Sequence, residues 1–261
     1  MSRFTLLAGP CAVEHKDLCF EIAEQVKTIC EELDIHYIFK ASYKKANRTR
    51  LDSFSGIGDT EALEILASVK ATFGLETITD VHESQDPAKV APYVDHLQIP
   101  AFLSRQTDLL LAAGNTGKGV NIKKGQFLSP EAMQFPLEKV RSTGNENVWL
   151  CERGTTFGYH DLIVDATSIV RMKALGADKI IMDCTHATQK PNRTAGVTGG
   201  DPEMVGTLAI SAIATGADGL FIETHPRPAE ALSDTQSVLQ LDQLRGVLEK
   251  CAEIWDVRKG W

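Results

Sequence analysis

The 261-residue chain is short of the features that tie a protein to a membrane, a disulfide framework or a polyanion. No apolar run approaches the roughly 18 to 20 residues of a membrane span, and Met1-Ser2-Arg3 leads into a short apolar run without a secretory-signal layout. A cytoplasmic location without a membrane partner is therefore expected. The six cysteines, Cys11, Cys19, Cys30, Cys151, Cys184 and Cys251, are too scattered for a disulfide scaffold or zinc knuckle. Cys19 and Cys30 read as fillers of a helix core. Cations are the minority charge: 27 Lys+Arg against 35 Asp+Glu leave −8, which argues against general affinity for nucleic acid. The question becomes where those 27 positive charges sit.

A Gly-rich phosphate turn is also missing: the first strand candidate ends in Gly9-Pro10-Cys11-Ala12, with no GxGxxG or Walker pattern. What is there is alternation. Short β-prone runs at 5–9, 37–42, 75–81, 96–100, 119–123, 148–153, 179–184 and 219–224 are separated by stretches of helical period. Helices are expected at 17–33, 59–73, 87–93, 106–113, 130–141, 162–175, 202–215 and 237–255. Starts are marked by Asp59, Ser129-Pro130 and Asp201-Pro202, and stops by Gly74, Gly114, Gly144, Gly176 and Gly216. Eight strand–helix units without a dividing linker predict an α/β fold of the (β/α)8 TIM-barrel type, one domain over 1–261, rather than an open doubly wound sheet.

In a barrel the C-terminal strand ends share one mouth. This chain puts Cys11, Glu14, Lys40, Ser42, Asp80, His82, Gln98, Lys123, Lys124, Glu152, Arg153, Asp183, His186, Glu223 and His225 at or just past such ends. Between Ile35 and Leu51 there is no acid, but Lys40, Lys44, Lys45, Arg48 and Arg50 are all present. With Lys123 and Arg153 they form a cluster suited to phosphate or carboxylate groups, and so to a small substrate with more than one anionic group. A solvated basic loop is the plainer alternative. Cys11, His186, Glu223 and Asp234 offer a thiolate, an imidazole and two carboxylates, a set that suits a borderline divalent metal. A buried thiol and a helix-capping Asp234 explain the same spacing. Residues 187–200, rich in Gly, Thr, Asn and Pro, read as an active-site lid or as a surface loop.

Particular motifs carry a resemblance. Ala8-Gly9-Pro10-Cys11, Phe39-Lys40-Ala41-Ser42, Lys45-Ala46-Asn47-Arg48-Thr49, Thr79-Asp80-Val81-His82-Glu83, Gln98-Ile99-Pro100-Ala101-Phe102-Leu103, Arg105-Gln106-Thr107-Asp108, Phe157-Gly158-Tyr159, Asp183–His186 and Phe221–Pro226 resemble the 3-deoxy-D-manno-octulosonate 8-phosphate synthases over about residues 6–245. The resemblance implies condensation of phosphoenolpyruvate with D-arabinose 5-phosphate, for lipopolysaccharide synthesis. It implies that Lys40, Lys45, Lys123 and Arg153, with Gln98 nearby, hold phosphoenolpyruvate. Asn47, Arg48 and Thr49 would serve the sugar phosphate, the last two across a subunit boundary of a homotetramer. Cys11 is the residue that marks the metal-dependent branch, so Cys11, His186, Glu223 and Asp234 are expected to hold one divalent ion (Zn2+, Fe2+ or Mn2+), with no organic cofactor. Lys40, Cys11, His186 and Asp234 are the expected catalytic residues, and Asp80, His82, Glu152 and Asp183 candidates for relaying protons or orienting them. Arg50 and Tyr43-Lys44 depart from the family pattern. The alternatives are a heptulosonate 7-phosphate synthase using erythrose 4-phosphate, against which Asn47 argues, and a non-catalytic barrel that binds a sugar phosphate.

Overall fold

A computed structural model describes residues 3–48, 51–159, 161–194 and 197–259, apart from the side chains of 191–194 and 197–198. Eight parallel strands form the barrel: β1 Thr5–Gly9, β2 His36–Lys40, β3 Glu76–Asp80, β4 His96–Ile99, β5 Gly119–Lys123, β6 Val148–Glu152, β7 Lys179–Asp183 and β8 Gly219–His225. Each pairs with the next, and β1 pairs with β8 in the register Thr5↔Gly219 to Gly9↔Glu223, so the barrel closes, while Leu239–Gln240 adds a short parallel strand against Thr224–His225 at the end of β8.

The helices α1 Lys16–Glu32, α2 Asp59–Phe73, α3 Asp86–Val90, α4 Thr107–Gly114, α5 Gln134–Arg141, α6 Ser168–Lys173, α7 Val205–Ala214 and α8 Leu241–Arg258 follow the strands in turn. Helix α1 shows why: Leu18, Cys19, Ile22, Ala23, Val26, Ile29 and Cys30 recur at helical spacing and are buried, while the His15 ring accepts the Leu18 N–H at its start. The strand residues facing out, such as Leu6, Ala8, Tyr37, Phe39, Leu97 and Val120, join those helical faces in one large core. The alternate residues Leu7, Ile38, Ile78, Trp149, Cys151, Ile181 and Phe221 make a second, smaller core inside the barrel. Gly9 is required by the closure, because a Cβ there would lie 2.0 Å from the Lys40 carbonyl oxygen.

Three expectations change. The helix expected at 162–175 begins only at Ser168, because Asp161–Ile163 pairs antiparallel with Thr155–Phe157, and Asp165 then caps Thr167 N at 2.8 Å. The loop 187–200 contains a hairpin, Lys190–Thr194 against Val197–Gly199. Gly114 is the last residue of α4 rather than a left-handed stop, whereas Gly74, Gly144, Gly176 and Gly216 do have positive φ. No helix among the described residues is long and apolar enough to cross a membrane.

Candidate active site

The period of two that builds the inner core also delivers the ionisable groups. Ile38 is followed two residues later by Lys40, Ile78 by Asp80, Asn121 by Lys123, Ile181 by Asp183 and Phe221 by Glu223, so each polar group lies at the C-terminal end of an inward-facing row. They meet in a cavity of about 250 Å3, lined in part by Lys40, Lys45, Asn47, Arg48, Gln98, Lys123, Arg153, His186 and Asp234. Cys11 and Glu223 lie buried beneath it. Thr49, expected to complete the sugar-phosphate contacts, lies outside the described residues, as does Arg50.

The two strand-end lysines flank the Phe221 ring, with Nζ 5.1 Å (Lys40) and 3.7 Å (Lys123) from its centroid. Lys40 donates to Glu223 Oε1 at 2.7 Å, and to Ser42 Oγ and the Cys11 carbonyl at 3.2 Å each. An ammonium has three donors, so protein groups already occupy all of Lys40's. Lys123 donates to Asp183 Oδ2 at 2.7 Å and stands 3.3 Å from His186 Nδ1. Arg153 differs: one nitrogen donates to Gln189 Oε1 at 2.9 Å, while Nε and the other terminal nitrogen are buried with no partner among the described residues. A buried guanidinium with idle donors is a receptor for an anion, since leaving them unpaired is costly. Burial pushes Arg153 below its ordinary value. Burial also acts to lower Lys45, but the Glu223, Asp80 and Asp234 carboxylates nearby counter it, and the ammonium is held above its usual range.

Asp80 ties the floor together, accepting from Ser42 Oγ at 2.6 Å and Gln98 Nε2 at 2.5 Å, while Gln98 Oε1 accepts from Asn121 at 3.2 Å. Although burial opposes it, the charges of Lys40 and Lys45 keep Asp80 well below the carboxylate range. Asn121 belongs to this chain and was not among the expected residues; the inward parity of Gly119, Asn121 and Lys123 was the signal for it. Ser233 was also missed: Cys11 Sγ donates to its hydroxyl at 3.0 Å, and Arg48 bonds the same oxygen. Of the candidate orienting groups, Asp183 lies against two of the mouth residues, accepting from Lys123 and from the backbone N–H of His186 at 2.9 Å. Glu152 instead accepts from the N–H groups of Arg153 and Gly154, and Lys124 turns away behind the mouth.

Ligand atoms of Cys11, Glu223 and Asp234 all lie within 4.8 Å of one another. His186 Nε2 faces the same point, 3.7 Å from Glu223 Oε2 and 3.8 Å from Asp234 Oδ2. Two observations fit a cation there. Glu223 Oε2 is buried with no hydrogen-bond donor among the described residues. Burial, then the Asp234 and Glu223 carboxylates, push the Cys11 thiol well up, an environment that favours the thiolate only once a positive ion arrives. Asp234 reaches the point with a left-handed backbone, φ 51°, strain of the kind that collects at functional sites.

A family model described as the DAHP synthetase I family matches residues 2–258. Among curated proteins, the chain is 49% identical over 248 residues to a "2-dehydro-3-deoxyphosphooctonate aldolase" of Agrobacterium fabrum (95% of this chain, 88% of that protein). It is 47% identical over 258 residues to a protein of the same name from Fusobacterium nucleatum (99% and 92%). A third protein of that name, from Cyanothece sp., is 47% identical over 251 residues (96% and 92%).

Proposed function

The chain belongs to the DAHP synthetase I family, and from that membership we propose that its barrel mouth condenses phosphoenolpyruvate with D-arabinose 5-phosphate and water. The products are 3-deoxy-D-manno-octulosonate 8-phosphate and inorganic phosphate, on a route to lipopolysaccharide. The observation that carries the reading is Arg153, buried at the cavity wall with idle donors and joined there by Lys45 and Lys123. Three cations gathered in so small a cavity suit a substrate bearing both a phosphate and a carboxylate.

Lys45, Lys123 and Arg153 hold phosphoenolpyruvate, with Gln98 beside it, and Asn47, Arg48 and Thr49 take the sugar phosphate. Lys40 lines the cavity, but its bonds to Glu223, Ser42 and Cys11 make it chiefly a positioning group for the floor. The C3 carbon of phosphoenolpyruvate bonds to the sugar aldehyde carbon while water adds at C2. The resulting hemiketal phosphate then loses phosphate by C–O cleavage, leaving the C2 ketone. The cations stabilise the charge on both anions throughout. Cys11, His186, Glu223 and Asp234 would hold one divalent ion, Zn2+, Fe2+ or Mn2+, which supplies Lewis-acid polarisation of the aldehyde. Asp183 fixes the ring of His186 and the ammonium of Lys123 together.

With this reading go a single catalytic domain, a cytoplasmic location and a homotetramer in which Arg48 and Thr49 work beside a neighbouring subunit. Phe102 at the mouth, with Phe127 and Phe157, is exposed and would be covered there. Phosphoenolpyruvate labelled with 18O at the bridging oxygen tests the chemistry. Phosphate released in the presence of the sugar phosphate carries the label; label left in the organic product contradicts C–O cleavage.

A further inference from the structure

The dipeptide Lys123-Lys124 sends one cation into the mouth and the other behind it, where the described residues leave it fully buried. Lys124 Nζ donates to the Gly154 carbonyl at 3.0 Å and Thr155 Oγ1 at 3.1 Å, and lies 3.3 Å from Glu152 Oε1. That same carboxylate oxygen accepts the N–H of Arg153 at 2.9 Å and of Gly154 at 2.6 Å. The Lys124 N–H in turn donates to the Cys151 carbonyl at 2.7 Å, stitching the end of β5 to β6. The turn at Arg153–Thr155 is thus gripped on its N–H side by Glu152 and on its carbonyl side by Lys124, with Gly154 at φ 87° making the bend.

Among the described residues the Arg153 guanidinium has one hydrogen-bond partner, Gln189, so its direction depends on the backbone that carries it. A buried ion pair is a poor source of stability, because its desolvation offsets its attraction; a well-packed apolar pair often serves as well. Geometry explains it better. We propose that the buried Lys124–Glu152 pair is a positioning device that fixes Arg153 opposite Lys123, setting the spacing of the anion clamp. It touches no substrate, and it rests on the reading of the mouth as a phosphoenolpyruvate site.

The double variant Lys124→Met/Glu152→Leu removes both charges together and so leaves no uncompensated ion in the core. Calorimetric binding of phosphoenolpyruvate without the sugar, KM for each substrate and the thermal midpoint are measured on the variant and the unaltered enzyme. We expect at least a ten-fold loss in phosphoenolpyruvate affinity and the same rise in its KM, with the arabinose 5-phosphate KM within two-fold. Unchanged phosphoenolpyruvate affinity in the folded variant, or equal rises in both KM values, overturns the proposal. Should the double variant not fold, Glu152→Asp keeps the charge but withdraws the carboxylate by one methylene. It is expected to raise the phosphoenolpyruvate KM at least five-fold and the sugar KM less than two-fold, and parity between them overturns the proposal. Failure of the unaltered enzyme to bind phosphoenolpyruvate overturns the reading of the mouth itself, and the positioning role with it.

Discussion

Asp234 reaches Cys11 across 223 residues of chain, its Oδ2 3.2 Å from the thiol sulfur, and holds a left-handed backbone to do so. Glycine takes that conformation without the steric cost of a Cβ, which amounts to about 1 kcal/mol or more. Asp234→Gly is therefore expected to keep or raise the thermal midpoint of metal-free protein while weakening divalent-metal binding at least ten-fold. Calorimetric metal titration and a melting curve on the same sample check both. A variant that melts lower and binds metal normally contradicts the assignment.

Asp183 accepts from Lys123 and His186 together, so Asp183→Asn removes the anion that orients both. Loss of a group of this kind costs about 10- to 100-fold in metal affinity or activity. A fall in kcat/KM of that size is expected, with protein that still folds; full activity contradicts the role.

The sequence reading located the strands within a residue or two because apolar runs in a closed barrel are bounded by Gly, Pro and polar clusters. It also found most of the mouth, since an ionisable group at a strand end has few other places to point. Where it fell short, neighbours decided. Lys123 and Lys124 look alike in sequence, and only the inward parity of Asn121 and Lys123 separates the mouth cation from the buried one. Glu152 read as a candidate for relaying protons or orienting Lys40 and the metal ligands, but its carboxylate folds back on its own turn. Leu162 and Ile163 matched a helical period, yet the hairpin pairing with Thr155 and Thr156 claimed them. Ser233 carried no signal beyond its place beside Asp234.

At the opposite end of the barrel, Glu76 accepts from both His36 and His96, and those bonds hold its carboxyl below the usual range. Asp80 is also held low, by Lys40 and Lys45 against the effect of burial. A carboxylate whose folded pKa is depressed adds stability above its unfolded value, about 4, and loses it as pH falls toward the folded value. The thermal midpoint is expected to be level from pH 7 to about 5 and to drop below pH 4. Glu76→Gln should narrow the difference between pH 7 and pH 3; an unchanged difference contradicts the contribution of this cluster.

Gly9 tests the fold itself. Alanine there would place Cβ 2.0 Å from the Lys40 carbonyl oxygen, between two strands that have no room to part. A loss of more than about 2 kcal/mol in denaturant unfolding is expected, at the upper end of overpacking costs. A nearly neutral Gly9→Ala would mean that β1 and β2 do not approach as described.

The central claim is the pairing of phosphoenolpyruvate with a five-carbon sugar phosphate in this mouth. Release of inorganic phosphate from phosphoenolpyruvate is followed with divalent metal supplied, in three parallel reactions: with D-arabinose 5-phosphate, with erythrose 4-phosphate and with no sugar. The account predicts release with arabinose 5-phosphate alone, lost on chelation and restored by divalent metal. Release with erythrose 4-phosphate in preference, or no release with either sugar, would contradict it.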